Sequence, residues 1–276
     1  MDILAIANQK GGVGKTTTAV NLASALAHRR KKVLLIDLDA QGNATTASGL
    51  DKRALEYRIA DVLLDDLPIH EAIVKTPNGF DIVGANNELS GSDLHLSQKP
   101  ENHAILSKAM QQLADMPAKN GRATKPYDFI VIDCAPSLSL LTINAMCATS
   151  GVIIPMQCEY FALEGLADLS QTIERLKSLN PKLHIRGVLR TMFDPRNTLA
   201  NDVSMELIEH FGPILFNTII PRNIRLAEAP AHGIPALDYE MNSKGSQAYI
   251  RLANEIIKQS RQFQLASSKL FRHFLC

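Results

Sequence analysis

The chain has 276 residues, 46% of them hydrophobic and 21% charged, with 29 Lys and Arg against 28 Asp and Glu. This balance excludes wholesale disorder and an overwhelmingly basic nucleic-acid-coating protein, and it leaves room for one large core or two small ones. The charge is uneven: residues 182–276 hold 12 basic and 8 acidic side chains, whereas residues 1–181 hold 17 and 20.

Short apolar runs rich in Val and Ile predict strands at 2–7, 33–37, 80–84, 128–133, 151–156, 185–191 and 214–220. They are continuous rather than alternating, as expected of a parallel sheet covered on both faces. Between them the pattern predicts helices at 15–29, 88–115, 139–149, 163–178, 200–211 and 245–264. Strand-helix-strand repetition implies a single α/β domain with a mostly parallel, doubly wound sheet flanked by helices. Residues 116–127, with two prolines and a glycine, read as a surface loop. Cys134, Cys147, Cys158 and Cys276 show no C-x-x-C spacing and read as reduced thiols of a cytoplasmic protein. No apolar run reaches membrane-span length, and the N-terminus turns polar too soon for a signal peptide.

The first predicted strand runs into Gly11-Gly12-Val13-Gly14-Lys15-Thr16-Thr17, and a helix follows. Glycines in that context let backbone N–H groups converge on phosphate, and the helix N-terminus adds a positive dipole end. Lys15 should reach the terminal phosphates and the Thr16 hydroxyl should bind Mg²⁺. The template G-x-x-x-x-G-K-[ST] wants glycine at position 9, however, where the chain has Gln9 followed by a second lysine, Lys10. Two further strand ends supply carboxylates: Asp37 and Asp39 in "VLLIDLDAQGN", and Asp133 in "FIVIDCAPS". Ligands bind at the carboxyl edge of open parallel sheets, so these groups are expected on one rim for Mg-nucleotide hydrolysis.

The run Lys10 to Thr17 resembles the deviant Walker A motif of the ParA/Soj partition ATPases, relatives of MinD and the nitrogenase iron protein. Asp37–Thr45 resembles the switch I segment, with Ala40 where proline is common, and Ile132–Ala145 resembles Walker B and switch II, with Ala135 likewise. Pro155–Leu166 and Ile220–Pro230 also look like ParA/Soj sequence, so the resemblance runs along nearly the whole chain. It implies a P-loop ATPase domain over 1–264 and a tail over 265–276. It implies that Lys10 reaches the nucleotide of the opposite subunit in an ATP-sandwiched homodimer. Asp39 would position the attacking water and Asp133 would hold Mg²⁺ through water, with Asp37 a further candidate for the metal. Pro221 and Asn223 would contact adenine, which favours ATP.

The resemblance further implies non-specific DNA binding on the nucleoid, with Arg196, Arg222, Arg225, Lys244 and Arg251 as candidates from the basic third of the chain. The implied partner is a ParB/Spo0J-like centromere-binding protein that stimulates hydrolysis. MinD-like membrane cycling is the alternative, since Leu270, Phe271, Phe274 and Leu275 could form an amphipathic tail. Membrane binding is the less favoured reading, because one short helix anchors weakly.

Overall fold

A computed structural model describes residues 1–115 and 127–273, with side chains of the last helix described through Phe263. Residues 116–126 of the loop expected over 116–127, and the side chains of the tail, lie outside the described residues.

Seven strands form one sheet: β1 (Asp2–Ile6), β2 (Val33–Leu38), β3 (Ile73–Lys75), β4 (Asp81–Val83), β5 (Phe129–Cys134), β6 (Gly151–Gln157) and β7 (His184–Thr191). Their order is β3-β4-β2-β5-β1-β6-β7, and every pairing is parallel except β3 with β4. The helices are α1 (Lys15–His28), α2 (Asn43–Ala47), α3 (Ile59–Leu64), α4 (Ser92–Ser97), α5 (Ile105–Asp115) and α6 (Leu140–Ala148). They continue as α7 (Ala162–Leu176), α8 (Thr198–Phe211), α9 (Ile224–Glu228), α10 (Ala236–Tyr239) and α11 (Lys244–His273).

The continuous apolar strands have a simple consequence for packing, because successive side chains leave a strand on opposite faces. Leu4, Ile6 and Leu35 pack with α1 and α11, whereas Ala5, Leu34 and Ile36 face the cluster that includes α3, α5 and α7. Both faces of the sheet are thereby covered.

Two expectations are corrected. The single helix expected over 88–115 is broken into a 3₁₀ turn at Asn87–Leu89, α4 and α5. Pro100 lacks an N–H and disfavours helical backbone before it, and Glu101 takes a left-handed φ of 49°. The strand expected over 214–220 does not form; only the bridges Val188 to Leu215 and Phe193 to Pro221 remain. Its middle is diverted, since Asn217 N and Thr218 N donate to the Glu255 carboxylate at 2.8 and 3.1 Å. Phe216 then packs over Gly187, where a β-carbon would lie 2.4 Å from its ring. The antiparallel strand β3 is too short, at three residues, to show a period in sequence.

Candidate nucleotide-binding site

The loop between β1 and α1 holds Gly12 at φ 73° and Gly14 at φ 87°, left-handed conformations that glycine adopts without strain. Gly14 is the N-cap of α1 and supplies no side-chain cap, so the first turn of the helix presents its N–H groups to the loop. Distant residues hold the loop open. Gln157 Nε2 donates to the Gly12 carbonyl at 2.9 Å and Thr191 Oγ1 to the Val13 carbonyl at 2.8 Å. Asn8 Nδ2 reaches Pro155 O at 2.8 Å, while its Oδ1 accepts from Lys10 N at 2.9 Å.

Lys15 is buried, and its ammonium donates back to the Lys10 carbonyl at 2.9 Å. Burial pulls its pKa below the usual lysine range, and the neighbouring charge of Asp133 opposes that shift. The ammonium is therefore already aimed into the loop that a phosphate would occupy.

The strand register brings the carboxylates to the same rim. Asp133 on β5 stands opposite Asp37 on β2 and Ile6 on β1. Asp37 is fully buried; its Oδ2 accepts from Thr45 N at 2.9 Å and Thr45 Oγ1 at 2.8 Å, and its Oδ1 from Asp39 N at 3.1 Å. Burial lifts its pKa to about 6, against those hydrogen bonds. Both oxygens of Asp37 thus hold the loop leading into α2 in place. Asp39 is half-buried, and its Oδ1 accepts from Gln41 N at 2.9 Å.

Asp133 differs from both. It is fully buried, and neither of its carboxylate oxygens has a hydrogen-bond partner. Burial raises its pKa well above the carboxylate range, and the charge of Asp37 adds to the shift. The Thr16 hydroxyl favours the charged form without meeting hydrogen-bond geometry. A divalent cation fits this environment: an orphaned buried carboxylate, a hydroxyl and oxygen-only donors are what a hard ion takes.

Lys10 is exposed and forms an ion pair with Glu159 of the same chain. Tyr160 and Phe161, next in sequence, are 76% and 67% exposed and meet edge to face. A cleft of about 190 Å³ opens beside the loop, lined by Gly14, Thr17, Met192, Pro221, Asn223 and Tyr249 among others. The expected adenine contacts Pro221 and Asn223 therefore share one cleft with the phosphate loop. Asn223 is the N-cap of α9, its Oδ1 accepting from Arg225 N at 3.0 Å.

Four of the five basic candidates also converge. Arg196, Arg222, Lys244 and Arg251 line a cavity of about 710 Å³ that shares Pro221 and Arg222 with the cleft. Asp194 lies there too, held by Arg196 at 2.7 Å. Arg225 is not among the residues lining that cavity and pairs with Glu228 at 2.7 Å.

Sequence reasoning did not single out Thr45, Gln157, Thr191 or Met192. Gln157 and Thr191 donate to loop carbonyls 145 and 178 positions away, a role that carries no local signal, and Thr45 donates to Asp37 eight positions before it. Met192 takes φ 50°, left-handed for a side chain that rarely adopts it.

A sequence-family profile described as an AAA domain matches residues 1–185. The chromosome partitioning protein ParA of Caulobacter vibrioides is 47% identical over 264 residues, covering 95% of this chain and 96% of that protein. The sporulation initiation inhibitor protein Soj of Bacillus subtilis is 44% identical over 256 residues, covering 92% and 97%. Among solved structures, cobyrinic acid a,c-diamide synthase from Mycobacterium smegmatis with bound ADP and magnesium aligns at a TM-score of 0.79 and 32% identity, over 95% of this chain and 96% of that one. With its phosphate loop, its three strand-end carboxylates and these similarities, the chain belongs to the AAA domain family and, within it, to the ParA/Soj chromosome-partitioning proteins.

Proposed function

We propose that the protein is a Mg²⁺-dependent ATPase that partitions DNA, cycling between an ATP-bound dimer that holds DNA and a monomer that releases it. The observation that carries the reading is Asp133, buried beside the phosphate loop with two unpartnered oxygens. Asp133 and the Thr16 hydroxyl would hold the ion, which supplies charge neutralisation for the phosphates when bound. Backbone N–H groups of Gly12 to Thr17 cradle the phosphates, Lys15 neutralises their charge, and Pro221 and Asn223 flank the base. Asp39, exposed to solvent on one side, orients and deprotonates the attacking water.

Lys10 completes the reading. Among the described residues of one chain its ammonium pairs with Glu159; exchanged onto a second subunit's nucleotide, it places a cation on transferring phosphate. The basic cavity lined by Arg196, Arg222, Lys244 and Arg251 receives the DNA backbone through phosphate contacts, which carry no base preference. Arg225, paired with Glu228 outside it, is a peripheral contributor. The partner that stimulates hydrolysis is a ParB-like DNA-binding protein, and the site of action is the nucleoid.

The test is DNA co-sedimentation of the Asp39→Ala protein with ATP and with ADP, with and without Lys10→Ala. The reading expects slow or absent ATP turnover, pelleting with DNA only in ATP, and loss of pelleting when Lys10 is removed. Wild-type turnover in Asp39→Ala would remove that residue from the role assigned to it. ATP turnover stimulated by a polycarboxylate but not by DNA would instead favour a synthase like the mycobacterial neighbour, since the basic cavity accepts either anion.

A further inference from the structure

The phosphate loop and the basic cavity are mechanically joined through the end of β7. On one side, Thr191 Oγ1 donates to the Val13 carbonyl at 2.8 Å, and Gln157 Nε2 spans Gly12 O at 2.9 Å and Met192 Sδ at 3.0 Å. On the other, three backbone hydrogen bonds strap residues 220–222 to the same stretch: Ile220 N to Arg190 O, Phe193 N to Ile220 O, and Arg222 N to Phe193 O, at 2.9 to 3.1 Å. Phe193, Asp194 and Arg196 continue directly into the wall of the basic cavity, and Pro221 and Arg222, bonded to Phe193, line it as well. Between the two sides sits Met192, the residue held at φ 50°. A non-glycine residue in that region is strained, and strained positions at a site are poised to relax when a neighbour moves.

We propose that Thr191 is a positioning residue that couples the phosphate loop to the basic cavity within one subunit. Its hydroxyl fixes the loop carbonyl at Val13; a nucleotide that draws the loop onto its phosphates shifts β7's end, and with it Arg196 and Arg222. Discrimination between ATP and ADP at the DNA site then has a component independent of subunit association. This rests on the proposed function above, because it presumes that nucleotide and DNA occupy those two places.

Thr191→Val keeps the shape of the side chain and removes the donor; Thr191→Ser keeps the donor. The full-length proteins are compared for binding to a random-sequence duplex with a non-hydrolysable ATP analogue and with ADP. Analogue-driven dimerisation is followed by size-exclusion chromatography and light scattering. In Thr191→Val the ratio of DNA affinities, analogue over ADP, should fall by about fivefold, the scale of one buried neutral hydrogen bond, with dimerisation unchanged. Thr191→Ser should retain the ratio. Met192→Gly, which tolerates the same φ without strain, should lower the ratio with the Thr191 bond intact, and it serves if Thr191→Val folds poorly. An unchanged ratio in Thr191→Val and Met192→Gly overturns the proposal, as does a ratio that falls only in step with lost dimerisation. A wild-type protein whose DNA affinity ignores the nucleotide would overturn the functional reading itself, and the coupling with it.

Discussion

Asp37 and Asp133 meet across one register position of β2 and β5, both fully buried, yet the surroundings treat them differently. Three donors satisfy Asp37, while Asp133 has none and also faces the charge of its neighbour. A carboxyl whose pKa rises on folding costs stability at neutral pH, whether it stays ionised or takes up a proton. Asp133→Asn should therefore raise the stability of the ligand-free protein, by about 1–2 kcal/mol, while abolishing the further stabilisation that Mg²⁺ with ATP gives the wild type. Thermal unfolding with and without Mg-ATP checks both halves, and a ligand-free variant that melts lower than wild type would refute the argument. At this scale the sequence was legible where a residue's chemistry and its place on a strand end coincide. Asp133, at the end of β5, and Lys15, Thr16 and Asp39, in the segments that follow β1 and β2, stand out for that reason. Gln157 and Thr191 do not, since what they hold lies 145 and 178 positions away along the chain.

Strand β7 shows how an element depends on what crosses it. Gly187 leaves the space that the Phe216 ring fills, and Phe216 N donates to Val188 O at 3.0 Å. The segment that follows would have extended the sheet had Glu255 of α11 not taken its two N–H groups. Sequence periodicity reads the run "ILFNTII" as a strand, although only Phe216, Thr218 and Ile220 are buried, and it cannot see a carboxylate arriving from another element. The longer strands β1, β2, β5, β6 and β7 were readable because both faces are covered and most of their residues are apolar, the polar ones in β2, β5 and β6 falling at or near the carboxyl end; β3 and the break between α4 and α5 were not. Gly187→Ala should cost about 1–3 kcal/mol by forcing the ring off its seat, measured as a lower midpoint in denaturant at unchanged m-value. Full retention of the midpoint would mean that Phe216 has another place to go.

Over the whole molecule, the basic surplus of the last third is concentrated by folding rather than spread. Arg196, Arg222, Lys244 and Arg251 come from four separate stretches and reach one cavity, although the net charge of the chain is only +1. Composition revealed the surplus; only the fold could say that Arg225 stands apart from the other four. If these four meet DNA phosphates, the logarithm of affinity should fall with the logarithm of salt with a slope of about −3 to −4 per subunit. Arg222→Ala should make that slope shallower by about one, without creating a base preference. Titrations at several salt concentrations decide it, and an unaltered slope would take Arg222 out of the contact.

The strand order has a consequence for how the protein is made. β1 carries the phosphate loop and emerges first, but its sheet neighbours are β5 and β6, and the loop carbonyls wait for Gln157 and Thr191. A nascent chain therefore cannot organise the loop until it has been made through the end of β7. The nucleotide site is begun by β1 and completed only with β6 and β7, so competence to bind and hydrolyse is withheld until the surface that would respond to it is also being laid down.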